Sequence, residues 1–199
     1  MKTICFDVDG VLADFTGAFG LLLCGEKLDG TKQMTYGQQG IHNLWDEKTW
    51  HTLRNTRHWW QTLDPLVKPE TFHRINDLSR YHRVYFVTNR YHDLQSPADQ
   101  TSRWLMIHGV SNPSVIVTAE KAELSSLLEV DFFIEDNWDN ARAIGFETEY
   151  AGVSHILDRP YNVGTHPFVT RVQTVEEFLD IVEASCKSTW PSSVSASTP

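Results

Sequence analysis

The stretch Thr3-Ile4-Cys5-Phe6-Asp7-Val8-Asp9-Gly10-Val11-Leu12-Ala13-Asp14-Phe15 starts as an apolar strand and ends in two carboxylates. Side chains alternate across a strand, so Asp7 and Asp9 point the same way, and the turn at Gly10 lets both face one site. Two acids crowded at a strand end favour a divalent cation. The competing reading is an Asx-type turn that caps the next helix, the usual meaning of a lone Asp before Gly. Two Asp at this spacing, followed by an apolar helix, weigh against it.

The same arrangement recurs along the chain. Arg83-Val84-Tyr85-Phe86-Val87-Thr88-Asn89-Arg90 is a second apolar strand, ending in the hydroxyl of Thr88. A third, Val115-Ile116-Val117, is β-branched throughout and is closely followed by Lys121. The fourth, Val130-Asp131-Phe132-Phe133-Ile134, runs into Glu135-Asp136-Asn137. Helical spacing separates these strands: Phe15 to Leu23 with a stop at Gly25, then Phe72, Ile75, Leu78 and Tyr81, then Trp104, Leu105 and Ile107 before Gly109. Strands that alternate with helices specify an α/β fold with a parallel sheet, and such sheets bind ligands outside the carboxyl ends of their strands, where strand order reverses. Phosphoryl transfer to a carboxylate nucleophile needs a metal, cationic and hydroxyl groups around the phosphoryl oxygens, and an acid for the leaving oxygen. Each has a candidate here.

The order Asp7-x-Asp9, Thr88, Lys121, Glu135-Asp136 resembles the four motifs of the haloacid dehalogenase-like phosphohydrolase superfamily. Asp-Gly-Val-Leu-Ala-Asp-Phe after Asp7-Val8, an aromatic-rich insertion, and Trp59-Trp60-Gln61-Thr62-Leu63-Asp64-Pro65-Leu66 make it similar, within that superfamily, to the 5'(3')-deoxyribonucleotidases. The resemblance implies a three-layer, Rossmann-like parallel sheet with a small, mainly helical cap. It places the core at residues 1–24 and 66–186, the cap at 25–65, and a Ser-rich, disordered tail at 187–199. Within the cap, Gly25 to Gly40 reads as loop, and Leu44-Trp45, Trp50, Leu53, Trp59-Trp60 and Leu63 as a helical segment ended by Pro65.

The resemblance also implies roles. Asp7 is the nucleophile and Asp9, held protonated by its neighbours, the general acid and then base. Thr88 and Lys121 contact the phosphoryl oxygens and Asn89 donates a further hydrogen bond. Mg2+ sits on Asp7, the backbone carbonyl of Asp9 and Asp136, with Glu135 binding directly or through water. Phe15, eight residues after Asp7, stands where the deoxyribonucleotidases sandwich the base, with Trp45, Trp59 and Trp60 as further stacking candidates. The plainer reading is that aromatics at helical spacing form the cap's own core, and it weighs most for Trp45 and Trp50. An acid two residues after the nucleophile argues for ester hydrolysis over carbon–halogen cleavage, because halide leaves without a proton. A phosphomutase would keep both Asp residues but usually carries a longer helical cap.

Lys121 breaks a local rule. Thr118 reads as an N-cap, and the third position after it, where a capping box has Glu or Gln, holds Lys121. A cation there opposes the helix dipole, as expected of an ammonium kept for an anionic ligand; the alternative is an ordinary surface lysine.

Composition narrows the partners. Of 199 residues, 26 are acidic and 17 basic, and a net charge of −9 argues against long nucleic acid, which selects a basic face. Cys5, Cys24 and Cys186 are scattered and odd in number, pointing to a reducing, cytoplasmic setting. The apolar run Ala18 to Cys24 is too short to cross a bilayer, and the nine His show no zinc spacing. Asp158-Arg159-Pro160-Tyr161-Asn162 reads as turn chemistry without a catalytic role, and Asn137 as the cap of a helix ending at Gly145. The expected activity is Mg2+-dependent hydrolysis of a small phosphomonoester, foremost a deoxyribonucleoside monophosphate. A sugar phosphatase on the same chemistry and a catalytically silent binding module are the alternatives. Oligomeric state, base preference and the 5' or 3' position are not readable from sequence.

Overall fold

The computed structural model describes residues 1–29, 47–148 and 152–187. Among these, the chain runs β1 (Thr3–Asp7), α1 (Phe15–Cys24), α2 (Glu47–Asn55), α3 (Pro69–Leu78), β2 (Arg83–Thr88), α4 (Pro97–Ile107), β3 (Ser114–Val117), α5 (Lys121–Leu127), β4 (Phe132–Glu135), α6 (Trp138–Thr148), β5 (Ser154–Leu157), β6 (Val169–Val172) and α7 (Val175–Lys187). All neighbouring strands pair in parallel, in the order β3-β2-β1-β4-β5-β6. The chain therefore builds outward from β1 through β2 to β3, then crosses back to lay β4 on the other side of β1. Strand order reverses between β1 and β4, and the register, Phe6 beside Ile134, brings Asp7 level with Glu135.

The central position of β1 explains its sequence, since a strand flanked by two others and covered on both faces must be apolar throughout. All five of its residues are buried. Ile4 and Phe6 pack with Phe72, Ile75, Trp104, Phe178 and Val182 of α3, α4 and α7. Cys5 faces the other way, into a cluster with Val87, Phe133 and Ile144, against Ala122 and Leu124 of α5. Helices thus cover both faces, giving three layers, and each fully buried Phe or Ile contributes about 1.5–3 kcal/mol. No helix among the described residues is long and apolar enough to cross a membrane.

Local signals set the helix ends. Asp14 caps α1 by accepting from the Gly17 N–H at 2.9 Å, and Gly25 closes it in a left-handed conformation, φ 72°. At Pro65 the chain lies beside the end of the β1 turn, where an antiparallel bridge pairs Ala13 with Pro65 and the Leu66 N–H bonds the Leu12 carbonyl at 2.8 Å. Lys27 ties the two sides together through Asp64 and Asp14 at 2.8 and 3.3 Å.

The structure departs from the sequence reading in four places. The aromatic run of the insertion is not one helix: α2 stops at Asn55, His58 takes a left-handed conformation at φ 60°, and Trp59–Gln61 form a short 3-10 turn. Tertiary bonds hold that turn, with the Trp60 N–H on Gln100 Oε1 at 3.2 Å and its indole N–H on the Tyr91 carbonyl at 3.1 Å. Helix α5 begins at Lys121 itself, while Thr118 Oγ1 accepts from the Glu120 N–H at 3.0 Å ahead of the helix, so Lys121 is the first helical residue and not the third. Asn137 does cap α6, accepting from the Asn140 N–H at 3.1 Å, but the helix runs past Gly145 to Thr148. Finally, β5, β6 and α7 extend the core beyond the four strands read from sequence. The Gly25–Gly40 loop falls mostly outside the described residues, and Leu44, Trp45 and the 188–199 tail wholly so.

Gly145 is glycine for contact, not for termination. A Cβ there would lie 2.8 Å from the Phe168 carbonyl oxygen. Ala normally stabilises a helix interior by roughly 1 kcal/mol over Gly; here Gly145→Ala is expected to lower stability by about 1–3 kcal/mol through overpacking, measured by thermal or urea denaturation. A raised Tm would show that the Phe168 segment yields.

Candidate active site

Four carboxylates and two cations meet where β1, β2 and β4 end. Asp7, the last residue of β1, is almost fully buried, and its Oδ1 accepts from the Val8 N–H and from Lys121 Nζ, both at 2.7 Å. Lys121 reaches inward from the start of α5 and bonds Glu135 Oε1 at 2.5 Å, bridging β1 to β4. Glu135 is fully buried, and its other oxygen, Oε2, has no hydrogen-bond partner among the described residues. Asp136 follows, with Oδ2 accepting from the Tyr161 hydroxyl at 2.5 Å.

Gly10 makes this packing possible. Its φ is +80°, and a Cβ on it would lie 2.0 Å from Asp136 Oδ2. Only a residue without a side chain lets the β1 turn and the end of β4 approach so closely.

Oxygen atoms of Asp7, Glu135 and Asp136 come within 4.8 Å of one another. Two buried carboxylates and the partly exposed Asp136 crowd around the Lys121 ammonium, an excess of negative charge that a divalent cation neutralises. The donor set is all oxygen, which suits Mg2+ or Ca2+, and the unpartnered Glu135 Oε2 is an acceptor still to be satisfied. The residues fit such an ion. Without one, burial pushes the Asp7 carboxyl up to about 7, helped by the Glu135 charge and opposed by Lys121. Burial likewise raises Asp136 to about 7, with the Asp7 charge adding and the Tyr161 hydrogen bond opposing. Glu135 is raised too, chiefly by burial. For Lys121, burial works to remove the proton, but Asp7 and Glu135 outweigh it and push its pKa up.

Asp9 lies just beyond β1 and meets a neighbour that sequence reasoning missed. Arg90, fully buried, forks onto it, Nε to Oδ2 at 2.8 Å and Nη2 to Oδ1 at 2.7 Å. Thr88 Oγ1 sits 3.2 Å from Oδ2. The charge next to Asp9 is thus a cation, held at both carboxylate oxygens. A charged residue two places past the end of a buried strand was the available signal for Arg90.

Above these groups opens a cavity of about 490 Å³, bordered by Asp7, Asp9, Thr88, Lys121 and Asp136 below and by Phe15, Trp50 and Trp60 on one side. Asn89 also lines it. The aromatic rings pack on one another as well: Phe15 stacks on Trp60 at 5.8 Å, on Trp50 at 6.5 Å and on Phe19 at 5.3 Å. Trp59 is 5 % exposed, edge-on to Trp60 and not part of the cavity wall, so it belongs to the core and is not a stacking surface. Trp50, read mainly as core, does reach the cavity.

The loop after β5 was read as a plain turn, yet it braces the site. Besides the Tyr161 bond, Asn162 Nδ2 donates to the carbonyls of Asp136 and Leu157, both at 2.7 Å, and Arg159 Nη2 to that of Gly10 at 3.0 Å. Nothing local in Pro160-Tyr161-Asn162 announces this, since the Asp136 partners of Tyr161 and Asn162 are more than twenty residues away.

Comparison with known proteins gives one family and one fold. A sequence model of the family described as 5' nucleotidase, deoxy (pyrimidine), cytosolic type C matches residues 1–187. Comparison with curated proteins gave no match. Similar solved structures include a haloacid dehalogenase-like family hydrolase from Xanthomonas campestris, with TM-score 0.53 and 14% identity over 92% of this chain and 95% of that one. A protein from Thermotoga maritima provisionally described as a β-phosphoglucomutase has TM-score 0.52 and 14% identity over 92% and 99%. A haloacid dehalogenase-like hydrolase, also provisionally described, from Burkholderia xenovorans has TM-score 0.56 and 9% identity over 92% and 97%. At such identities the structures establish a shared fold.

The carboxylate cluster sets a pH dependence of stability. Asp7 and Asp136 go from 3.8 unfolded to about 7 folded, so they favour the folded state fully below 3.8 and lose that contribution as pH rises through about 7. In chelator, Tm is expected to fall from about pH 5 to about pH 8, less steeply in Asp136→Asn, with added divalent cation recovering most at the alkaline end. A wild-type profile no steeper than that of Asp136→Asn would remove the argument.

Proposed function

On the premise that the chain belongs to the cytosolic type C 5'-nucleotidase family and is a phosphoric monoester hydrolase, we propose that it hydrolyses (deoxy)ribonucleoside 5'-monophosphates to nucleoside and phosphate through an aspartyl-phosphate. The carrying observation is the buried Asp7–Lys121–Glu135 junction opening into a cavity with an aromatic wall. In this reading residues 25–65 are the cap over a core of 1–24 and 66–186.

Mg2+ would be held by Asp7, Asp136 and the backbone carbonyl of Asp9, with Glu135 binding directly or through water. Bound there, it would neutralise the crowded carboxylates and the phosphoryl oxygens that approach them. Asp7 attacks phosphorus with a carboxylate oxygen as the bond to the ester oxygen breaks, and the departing oxygen takes a proton from Asp9. Water then attacks the phosphorus, giving its proton to Asp9 and releasing Asp7, so that each cycle consumes one water and restores both acids. Lys121 and Thr88 stabilise the non-bridging oxygens, and Lys121 already lies 2.7 Å from Asp7. Asn89, on the cavity wall, adds a donor. Phe15 and Trp60 offer apolar faces to a base, a contact worth roughly 1–3 kcal/mol in single-strand binders. The family's cytosolic description agrees with the cytoplasmic location that we retain in this proposal.

One observation favours a second substrate class. Because Trp50 and Trp60 both stack on Phe15, part of their surface serves the cap's own packing, which would suit a sugar phosphate or other small ester equally well.

Phosphate release from deoxy- and ribonucleoside 5'-monophosphates, sugar phosphates and p-nitrophenyl phosphate, with Mg2+ and with chelator, decides between them. The expected result is Mg2+-dependent turnover of a deoxynucleotide that Asp7→Asn lowers by roughly a thousandfold or more. Turnover of sugar phosphates alone would move the substrate to the second class; no release with retained nucleotide binding would make the chain a binding module. By calorimetry, Tyr161→Phe, which frees Asp136 from its 2.5 Å bond, should weaken Mg2+ binding about tenfold or more; unchanged affinity would place the ion elsewhere.

A further inference from the structure

Arg90 is a buried charge at the site for which the chemistry above has no task. Each of its three guanidinium nitrogens has a hydrogen-bond partner. Two nitrogens fork onto Asp9, Nη1 donates to Thr101 Oγ1 at 2.8 Å, and the plane lies over the Trp60 ring, 4.7 Å from its centroid. Thr101 is itself fixed, donating to the Pro97 carbonyl at 2.7 Å, and Trp60 is held by Gln100 and Tyr91. A guanidinium shielded from solvent needs its carboxylate partner, and the fork sets the partner's orientation as well as its distance.

That orientation has a chemical consequence. A carboxylate offers about four acceptor positions, two per oxygen. Asp9 Oδ2 receives Arg90 Nε and Thr88 Oγ1, whereas Oδ1, among the described residues, receives Arg90 Nη2 alone. Oδ1 is the atom with a position to spare. Asp9 is only partly covered, with 24% of its side chain exposed, and it borders the cavity.

We propose that Arg90 is a positioning residue that holds Asp9 with Oδ1 presented to the leaving oxygen, and that its stacking on Trp60 links this orientation to the aromatic wall where the nucleoside would lie. This rests on the acid role given to Asp9 above. In the step concerned, the bond between phosphorus and the ester oxygen breaks with its electron pair going to that oxygen, the proton passes to it from Asp9 Oδ1, and Asp9 is left as the carboxylate that Arg90 forks.

Leaving groups separate positioning from mere structure. A nucleoside departs as an alcohol and needs the proton, whereas p-nitrophenolate departs without one. The ratio kcat/KM covers only the steps through departure, so the later role of Asp9 as a base does not enter. Arg90→Lys keeps the charge but cannot fork. It is expected to lower kcat/KM for a deoxynucleoside 5'-monophosphate about a hundredfold and that for p-nitrophenyl phosphate by less than about threefold. Thr101→Val, which removes the anchor on Nη1 together with the bond to the Pro97 carbonyl and leaves the fork on Asp9 in place, is expected to give the same split at smaller size, and it carries the test if Arg90→Lys does not fold. Asp9→Asn serves as reference. If Asp9→Asn shows no split, the acid role fails and this proposal with it. If Asp9→Asn shows the split while the Arg90 and Thr101 variants lose equally on both esters, or lose nothing, Arg90 is structural and the proposal is overturned while the acid role stands.

Discussion

A buried ammonium clasped between two carboxylates is the contact on which this site depends. Lys121 Nζ lies 2.7 Å from Asp7 and 2.5 Å from Glu135, with all three side chains shielded from solvent. Removing one partner from such a junction typically costs 3–5 kcal/mol, because the remaining charge stays buried and unpaired. Lys121 also begins a helix, where a cation opposes the dipole. Packing of Ala122 and Leu124 against the Cys5–Phe133 face of the sheet holds α5 in place regardless. Local propensity is overruled there by tertiary contact, and the overruled residue is the one that faces the chemistry.

A second charged junction joins the end of β2 to the aromatic cluster. Arg90 belongs to the β2 exit and Trp60 to the 3-10 turn at Trp59–Gln61, and the cation lies over the ring while it forks onto Asp9. The aromatic cluster around Phe15 therefore has two faces. One packs inward on Phe19 and Trp50, and the other borders the cavity. Asking whether those rings are core or binding surface poses a false choice, because each has room to be both.

The outer half of the sheet supports the same site from behind. Arg171 on β6 bonds the side chain and carbonyl of Asn162 at 2.7 and 2.6 Å and the Gly164 carbonyl at 3.0 Å, fixing the loop that follows β5. Asn162, almost fully buried, passes that order to the Asp136 backbone, and Tyr161 to its carboxylate. The last two strands thus set the position of an acid that sits at the end of the fourth.

Sequence alone determined the parallel α/β architecture and the set of groups at the strand ends, because both follow from short-range patterns. Buried parallel strands are apolar runs of four to six residues, and the polar groups of the candidate site stand at their ends, as Asp7, Thr88 and Glu135 do. The helix stop at Gly25 and the cap at Asn137 were equally local. The strands β5 and β6 were missed because each is four residues long and one carries His155, while α7 went unread although Val175, Phe178, Leu179, Val182 and Cys186 recur at helical spacing. Tertiary structure alone decided which groups pair. Arg90 with Asp9, Tyr161 with Asp136, Gly10 beneath Asp136, and Trp60 rather than Trp59 on the cavity wall depend on segments brought together by the reversal of strand order between β1 and β4. A pairing across eighty residues leaves no mark on either partner's neighbours in the chain, since its energy comes from desolvation and fixed geometry that exist only once the sheet has formed.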